Sequence, residues 1–284
     1  MELHIENSVL LGFKRDGHMW LNGEPEYVLL VVPDTVTAIA DFAFDGCKEI
    51  IGVTIPGSVK SIGKEAFFGC RNLREIVMEE GVETIGDSAF EMGFFGDSLI
   101  LPNSIKSIGA YAFHDTSIYK LHMPEGLESI GPGAFAFCNM LDSVSIPGSV
   151  RGLSERAFAD CSELQEVRFA KGIQHIGTKA FSGCDHLIEV IFPGGTSCIG
   201  EKAFSGCSRL TEVAFGEELQ RIEADAFCLC LSLTEIKLPK SLVYLDKDAF
   251  QGACFLEKVQ VPEHLKDQAE EAFRDCDPIE IIHY

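Results

Sequence analysis

The sequence predicts an α/β solenoid of stacked 23-residue coils, with one parallel sheet and short helical or irregular segments opposite it. Three observations predict it. The dipeptide Ala-Phe recurs eleven times, with its Phe at 44, 67, 90, 113, 135, 158, 181, 204, 227, 250 and 273. Every step is 23 residues except Phe113 to Phe135, which is 22. Five residues before each Phe stands Ile or Leu, from Ile39 through Leu153 to Leu245, until Gln268 breaks the column in the last unit. After each Phe comes a strand-like run, as in Leu141-x-x-Val144-x-Ile146 and Leu187-x-x-Val190-x-Phe192. A repeat this short cannot cover both of its faces, so it must stack on its neighbours.

Each part of the coil has its own reason. The Leu-x-x-Val-x-Ile run alternates at period two, so it forms one short strand per coil, paired in parallel about 4.8 Å from the next. The Ala-Phe segment follows Ser/Gly-rich turns and reads as a short helical turn on the opposite side. Ala precedes every Phe, which fits a thin coil with no room for a larger side chain. The Phe residues form a buried column, each contributing roughly 1.5–3 kcal/mol by burial. Cys stands three residues after the Phe in eight units and is replaced by Gly93, Thr116 and Ala253 in the others. That column reads as small buried thiols facing backbone groups, not as disulfides, because stacked neighbours point the same way.

The ends read as caps. Residues 1–27 fall outside the period and form an N-terminal capping hairpin, with Val9–Phe13 and His18–Leu21 as strands and Lys14–Gly17 as turn. Trp20 would cover the first Phe layer. Residues 28–284 form one solenoid, in which the last unit, 262–284, is polar where the others are apolar and ends in the strand Ile279–Tyr284. No linker interrupts this, so the organisation is one domain.

The motif Ile55-Pro-Gly-Ser-Val-Lys-Ser-Ile-Gly-Lys-Glu-Ala-Phe-Phe-Gly-Cys70 resembles the BspA-like (treponeme-type) leucine-rich repeats, and the resemblance covers about residues 28–284. It implies a curved, right-handed array with the strands on the concave side. Many members of that family are bacterial surface proteins linked to adhesion and to binding host protein.

Composition narrows the function classes. With 23 Lys+Arg against 44 Asp+Glu the formal charge is −21, which repels nucleic acid and anionic lipid and favours a basic partner. The N-terminus lacks the basic start and apolar stretch of a signal peptide, and no run approaches the roughly 20 apolar residues of a membrane span. The chain as written reads as cytoplasmic, and as a surface or secreted protein if an export signal has been removed.

Catalytic motifs fit poorly. Phe95-Gly-Asp-Ser98-Leu99 resembles the GDSL esterase signature, but no Asp-x-x-His follows anywhere. Gly195–Lys202 misses the phosphate-loop spacing, and no His-Glu-x-x-His or paired-cysteine metal pattern occurs. The reading is therefore a non-catalytic scaffold without cofactor or metal, binding a protein partner of basic or mixed character. A Ser98-based esterase and an adhesin segment are the alternatives.

Strand alternation assigns the partner-facing positions. Glu166, Glu189, Glu212 and Glu235 should form one acidic column, with Arg168 and Lys237 offsetting part of it. Val77, Ile100 and Ile191 are apolar residues on the same face, flanked by His122. Phe94 and Phe95 mark an irregular third unit on the opposite loops, and the one-residue deletion at 116–119 follows it.

Overall fold

The computed structural model describes residues 2–13, 27–96, 98–274, 276 and 279–284. The chain divides into two compact units, Met1–Cys138 and Asn139–Tyr284. Within each unit the 23-residue segments stack as coils of a parallel β-solenoid.

Each unit carries two kinds of strand. The main strands are the ones the alternation predicts. In the first unit Val28–Val31, Ile50–Ile55 and Glu75–Met78 form one ladder, and Ser98–Ile100 pairs with Lys120–His122. In the second, Ser143–Ile146, Glu166–Phe169, Glu189–Ile191 and Glu212–Ala214 pair in register, and Glu235–Lys237, Lys258–Val261 and Glu280–His283 form a further three-stranded sheet. The second kind is a two-residue strand at the Ile/Leu column, such as Ser61–Ile62 and His175–Ile176. Five of these join Leu3–Glu6 and Val9–Phe13 in a seven-stranded sheet in the first unit, and five form a sheet of their own in the second. The column was visible in the sequence, but two residues are too few to show a strand period.

The Ala-Phe segments are irregular turns rather than helix, for a reason visible in their hydrogen bonds. In a helix each N–H would bond four residues back in its own segment. Here the Phe N–H donates to the Ala carbonyl of the following coil, as from Phe67 to Ala89 at 2.7 Å and from Phe181 to Ala203 at 2.8 Å. The N–H groups two residues before and after the Phe do the same, from Lys179 to Glu201 and from Gly183 to Ser205. Those flanking residues adopt positive φ, including Lys179 at 57° and Leu229 at 59°. Left-handed backbone costs roughly 1–2 kcal/mol for a residue with a Cβ, and the ladder of bonds to the next coil offsets it. Helix occurs at the C-terminal unit, where the single turn Glu263–Leu265 leads into Lys266–Ala272.

The core follows the predicted columns. Successive Phe rings stack, with centroids 5.1 Å apart for Phe67 and Phe90 and 5.3 Å for Phe181 and Phe204, in the offset arrangement aromatic pairs favour. In the second unit Phe169, Phe192 and Phe215 build a parallel column, edge-on to Phe181, Phe204 and Phe227. The thiols donate to the Phe carbonyl of the preceding coil: Cys70 to Phe44 at 3.1 Å, Cys184 to Phe158 at 3.2 Å and Cys230 to Phe204 at 3.3 Å. None of the eleven cysteines is in a disulfide. Where Thr116 replaces Cys, its hydroxyl donates to Phe113 at 2.7 Å within its own coil.

The N-terminal hairpin differs from the expectation. Val9–Phe13 pairs antiparallel with Leu3–Glu6, through a two-residue turn at Asn7 and Ser8, both at positive φ, the geometry of a type I′ hairpin. Its other edge pairs in parallel with Ala38–Ile39. The expected strand His18–Leu21, the turn Lys14–Gly17 and Trp20 lie outside the described residues. The ring seen against the first Phe layer is Phe13, edge-on to Phe44 at 5.1 Å. At the other end, Gln268 breaks the apolar column so that its side-chain oxygen can accept the N–H of Leu245 at 2.9 Å. No helix among the described residues is long and apolar enough to cross a membrane.

Candidate functional site

The outward face of the main strands is the candidate site, and the pleat builds it. Val144, Val167 and Val190 turn inward and are buried, which sends the residues between them to solvent. Parallel pairing then sets equivalents side by side. Glu166 stands opposite Glu189, and Glu189 opposite Glu212. Arg168 bonds the carboxylate of Glu166 in its own strand. Among the described residues Glu189 and Glu212 have no ion pair. Carboxylates one strand apart repel by roughly 1 kcal/mol in water and by more where the dielectric is lower.

The fourth member of the expected column behaves differently. Glu235 stands opposite Lys258, and Lys237 opposite Gln260, while no ladder pairing joins Glu235–Lys237 to Glu212–Ala214 among the described residues. Glu166, Glu189 and Glu212 are joined by ladder pairing, and Glu235–Lys237 lies next to Glu212–Ala214 without it among the described residues, with Lys258 opposite Glu235 on its other edge. At the start of these strands Asp142, Ser143, Gln165, Glu166, Ile188 and Glu189 line a shallow depression of about 440 Å³.

The apolar positions separate by unit. Ile191 lies exposed in the second unit, opposite Ala214. In the first, Val31, Thr54 and Val77 pair along one row, and Ile100 stands opposite His122. Ile100 is 63% exposed, and the first strand adds Leu29 and Val31 at 68% and 66%. Leu29 and Val31 belong to this face but are hard to read from the repeat, because no Ala-Phe unit precedes their strand to align it.

The sequences of known proteins identify the lattice. The description BspA type Leucine rich repeat region, in six copies, matches residues 28–139, 95–208 and 175–284. The chain belongs to the BspA-type leucine-rich repeat family. A search of curated proteins gives no match. Among solved structures, the Treponema pallidum leucine-rich repeat protein is 26% identical, with a TM-score of 0.55 over 66% of this chain and 87% of that one. A leucine-rich cell surface protein of Faecalibacterium prausnitzii is 22% identical, with a TM-score of 0.53 over 99% and 92% of the two chains. The pneumococcal vaccine antigen PcpA is 20% identical, with a TM-score of 0.57 over 93% and 80%. The last two likenesses show the fold.

Within this BspA-type repeat, Ser98 takes an ordinary strand position. It stands opposite Lys120, whereas His122 stands opposite Ile100, so the register sets the hydroxyl and the imidazole on different rows. Phe94 and Phe95, expected together on the opposite loops, part company. Phe94 is exposed with the Arg74 guanidinium 5.0 Å from its ring centre. Phe95 is only 3% exposed and lies edge-on to Phe90 and Phe113. It is a core residue because Gly93, in the Cys position, leaves the space: a Cβ there would meet the Phe95 ring at 2.5 Å.

Proposed function

We propose that this repeat protein is a non-catalytic scaffold that holds a polypeptide partner, basic or mixed in character, on the outward face of its main strands. The observation that carries the reading is the in-register row Glu166, Glu189 and Glu212, whose last two carboxylates have no ion pair among the described residues. A sheet built only to fold gains nothing by stacking like charges. The depression lined by Asp142, Glu166 and Glu189 adds a concave rim where an ammonium or guanidinium group would meet several carboxylates. The net charge of −21 raises the encounter rate with such a partner.

The test uses a fluorescent Lys/Arg-rich peptide and anisotropy at low and at moderate salt. Reversing Glu189 and Glu212 to Lys should weaken binding at least tenfold, and salt should weaken the wild-type interaction. The same change of charge at Glu155 and Glu163, away from the main strands, should have a much smaller effect. Equal losses for the two double variants would mean that general charge, not this row, binds the peptide, and the reading would fall.

A further inference from the structure

The third coil opens the main sheet. Gly96 donates its N–H to Arg74 at 2.9 Å, after which no ladder pairing joins Glu75–Met78 to Ser98–Ile100 among the described residues. A cleft of about 460 Å³ lies there, within the size range of ligand sites. Its floor is apolar, formed by Ile76, Met78, Phe95 and Leu99, and Val77 and Ile100 flank it. The cause is local. Gly93 and Gly96 replace the Cys and Leu of a regular coil, such as Cys70 and Leu73, and Phe95 fills the core in their stead.

We propose that this cleft is an anchor site for one aliphatic side chain of an extended polypeptide, with a neighbouring Lys or Arg of that segment held by Glu75. The inference deepens the polypeptide-binding reading and rests on it. The occupant's chemistry follows from the lining and the rim. Among the described residues the floor is formed by apolar side chains, so the inserted group is apolar. Arg74 is engaged by the face of Phe94, whereas Glu75 is exposed and without an ion pair among the described residues. The exposed Glu75 carboxylate beside the cleft is the group that a basic residue next to the anchor would meet, while the Arg74 guanidinium is turned to Phe94. A separate small molecule is disfavoured because the cleft is open along the sheet face, where strand-like backbone can lie beside the exposed Val77 and Ile100.

The probe is the pentapeptide Gly-Lys-Leu-Lys-Gly with blocked ends, titrated into protein with labelled Ile, Leu and Val methyls and followed by NMR. Shifts are expected at Ile76, Val77, Leu99 and Ile100, and the Leu→Ser analogue should bind at least about tenfold more weakly. Shifts centred elsewhere, or equal affinity for the two peptides, would overturn the proposal. The triple variant Gly93→Cys/Phe95→Asn/Gly96→Leu restores the regular coil. It should melt no lower than wild type and lose the cleft shifts, and a folded triple variant that keeps them also overturns the proposal. If it does not fold, Ser98→Trp, at an exposed position, should block the cleft with the same result. The two readings fail separately. Loss of cleft shifts with the Glu189 and Glu212 effect intact removes only the anchor. An absent Glu189 and Glu212 effect with cleft shifts intact removes only the acidic platform.

Discussion

The coil around Phe181 and the coil around Phe90 have the same length and make the same Phe-to-Ala bonds to the next coil, Phe181 to Ala203 and Phe90 to Ala112, both 2.8 Å. They differ in what fills the space beside the ring. In the Phe181 coil Cys184 bonds the preceding Phe158 carbonyl, Leu187 is fully buried, and the strand that follows, Glu189–Ile191, pairs on both edges. In the Phe90 coil both residues are glycine, Phe95 turns inward, and the strand Ser98–Ile100 pairs only toward Lys120–His122 among the described residues. The regular coil has every column filled by its own residue type. The irregular one keeps its core full by a different side chain and lacks one ladder, and the regular coil of Phe227, with Cys230 and Leu233 buried, lacks the ladder to Glu212–Ala214 as well among the described residues. Core packing and sheet pairing are thus separable demands on the same 23 residues.

The largest expected effect tests the filled columns. Phe181→Ala should cost about 3–5 kcal/mol in urea unfolding, because its stacked neighbours cannot close the cavity. If Phe95 serves as a true core substitute, Phe95→Ala should fall in the same range. A loss below about 1 kcal/mol for Phe95→Ala would mean that the irregular coil is loosely packed, and the comparison would break.

The next effect concerns the thiol column. Burial pushes the Cys184, Cys207 and Cys230 thiols well above the usual thiol range. Cys47 is pushed up to about 11 by partial burial and by its bond to Glu49. An acid whose pKa is raised on folding stabilises the fold fully below its unfolded pKa and loses that contribution as pH rises toward the folded value. Stability should therefore hold up to roughly pH 8.5 and then fall, by up to about 1.4 kcal/mol per pH unit for each such thiol. Melting temperatures from pH 7.5 to 10.5 check this. Replacing Cys184, Cys207 and Cys230 with Ala should flatten the alkaline decline, and an unchanged slope would assign it to other groups.

The smallest effect concerns the turns. Lys179 has φ of 57° in a position where Gly133 stands in another coil. Lys179→Gly relieves left-handed strain but frees the unfolded chain, so a gain of at most about 1 kcal/mol is expected. A loss of that size would show that the Lys side chain itself supports the turn.

The repeat made most of the lattice legible in advance. Eleven Phe positions and their associated Ala, Ile/Leu and Cys columns each report burial on one side of a stacked coil, and a column is a signal no single coil could give. Alternation likewise placed Glu166, Glu189 and Glu212 outward and Val167 and Val190 inward. The sequence misled where local pattern and inter-coil bonding diverge. Ala-Phe looks like a helical turn until its N–H groups are seen to point at the next coil. The Asn7-Ser8 turn carried a usable signal, since Asn is favoured at positive φ, yet the longer polar stretch at 14–17 was the more conspicuous turn.

The ladder between turns also constrains how such a chain can change length. The Phe N–H of the regular coils is committed to the Ala of the next, as Phe67 is to Ala89 22 residues ahead and Phe113 to Ala134 21 residues ahead, so a change of length inside a coil must be taken up between its bonded positions, whereas adding or removing a complete turn leaves the pairing untouched. The 22-residue step after Phe113 shows the one kind of shortening the array absorbs: Ile118 drops into the layer where Leu would sit and is fully buried. Growth and loss in such a molecule are quantised, with the coil as the unit of inheritance.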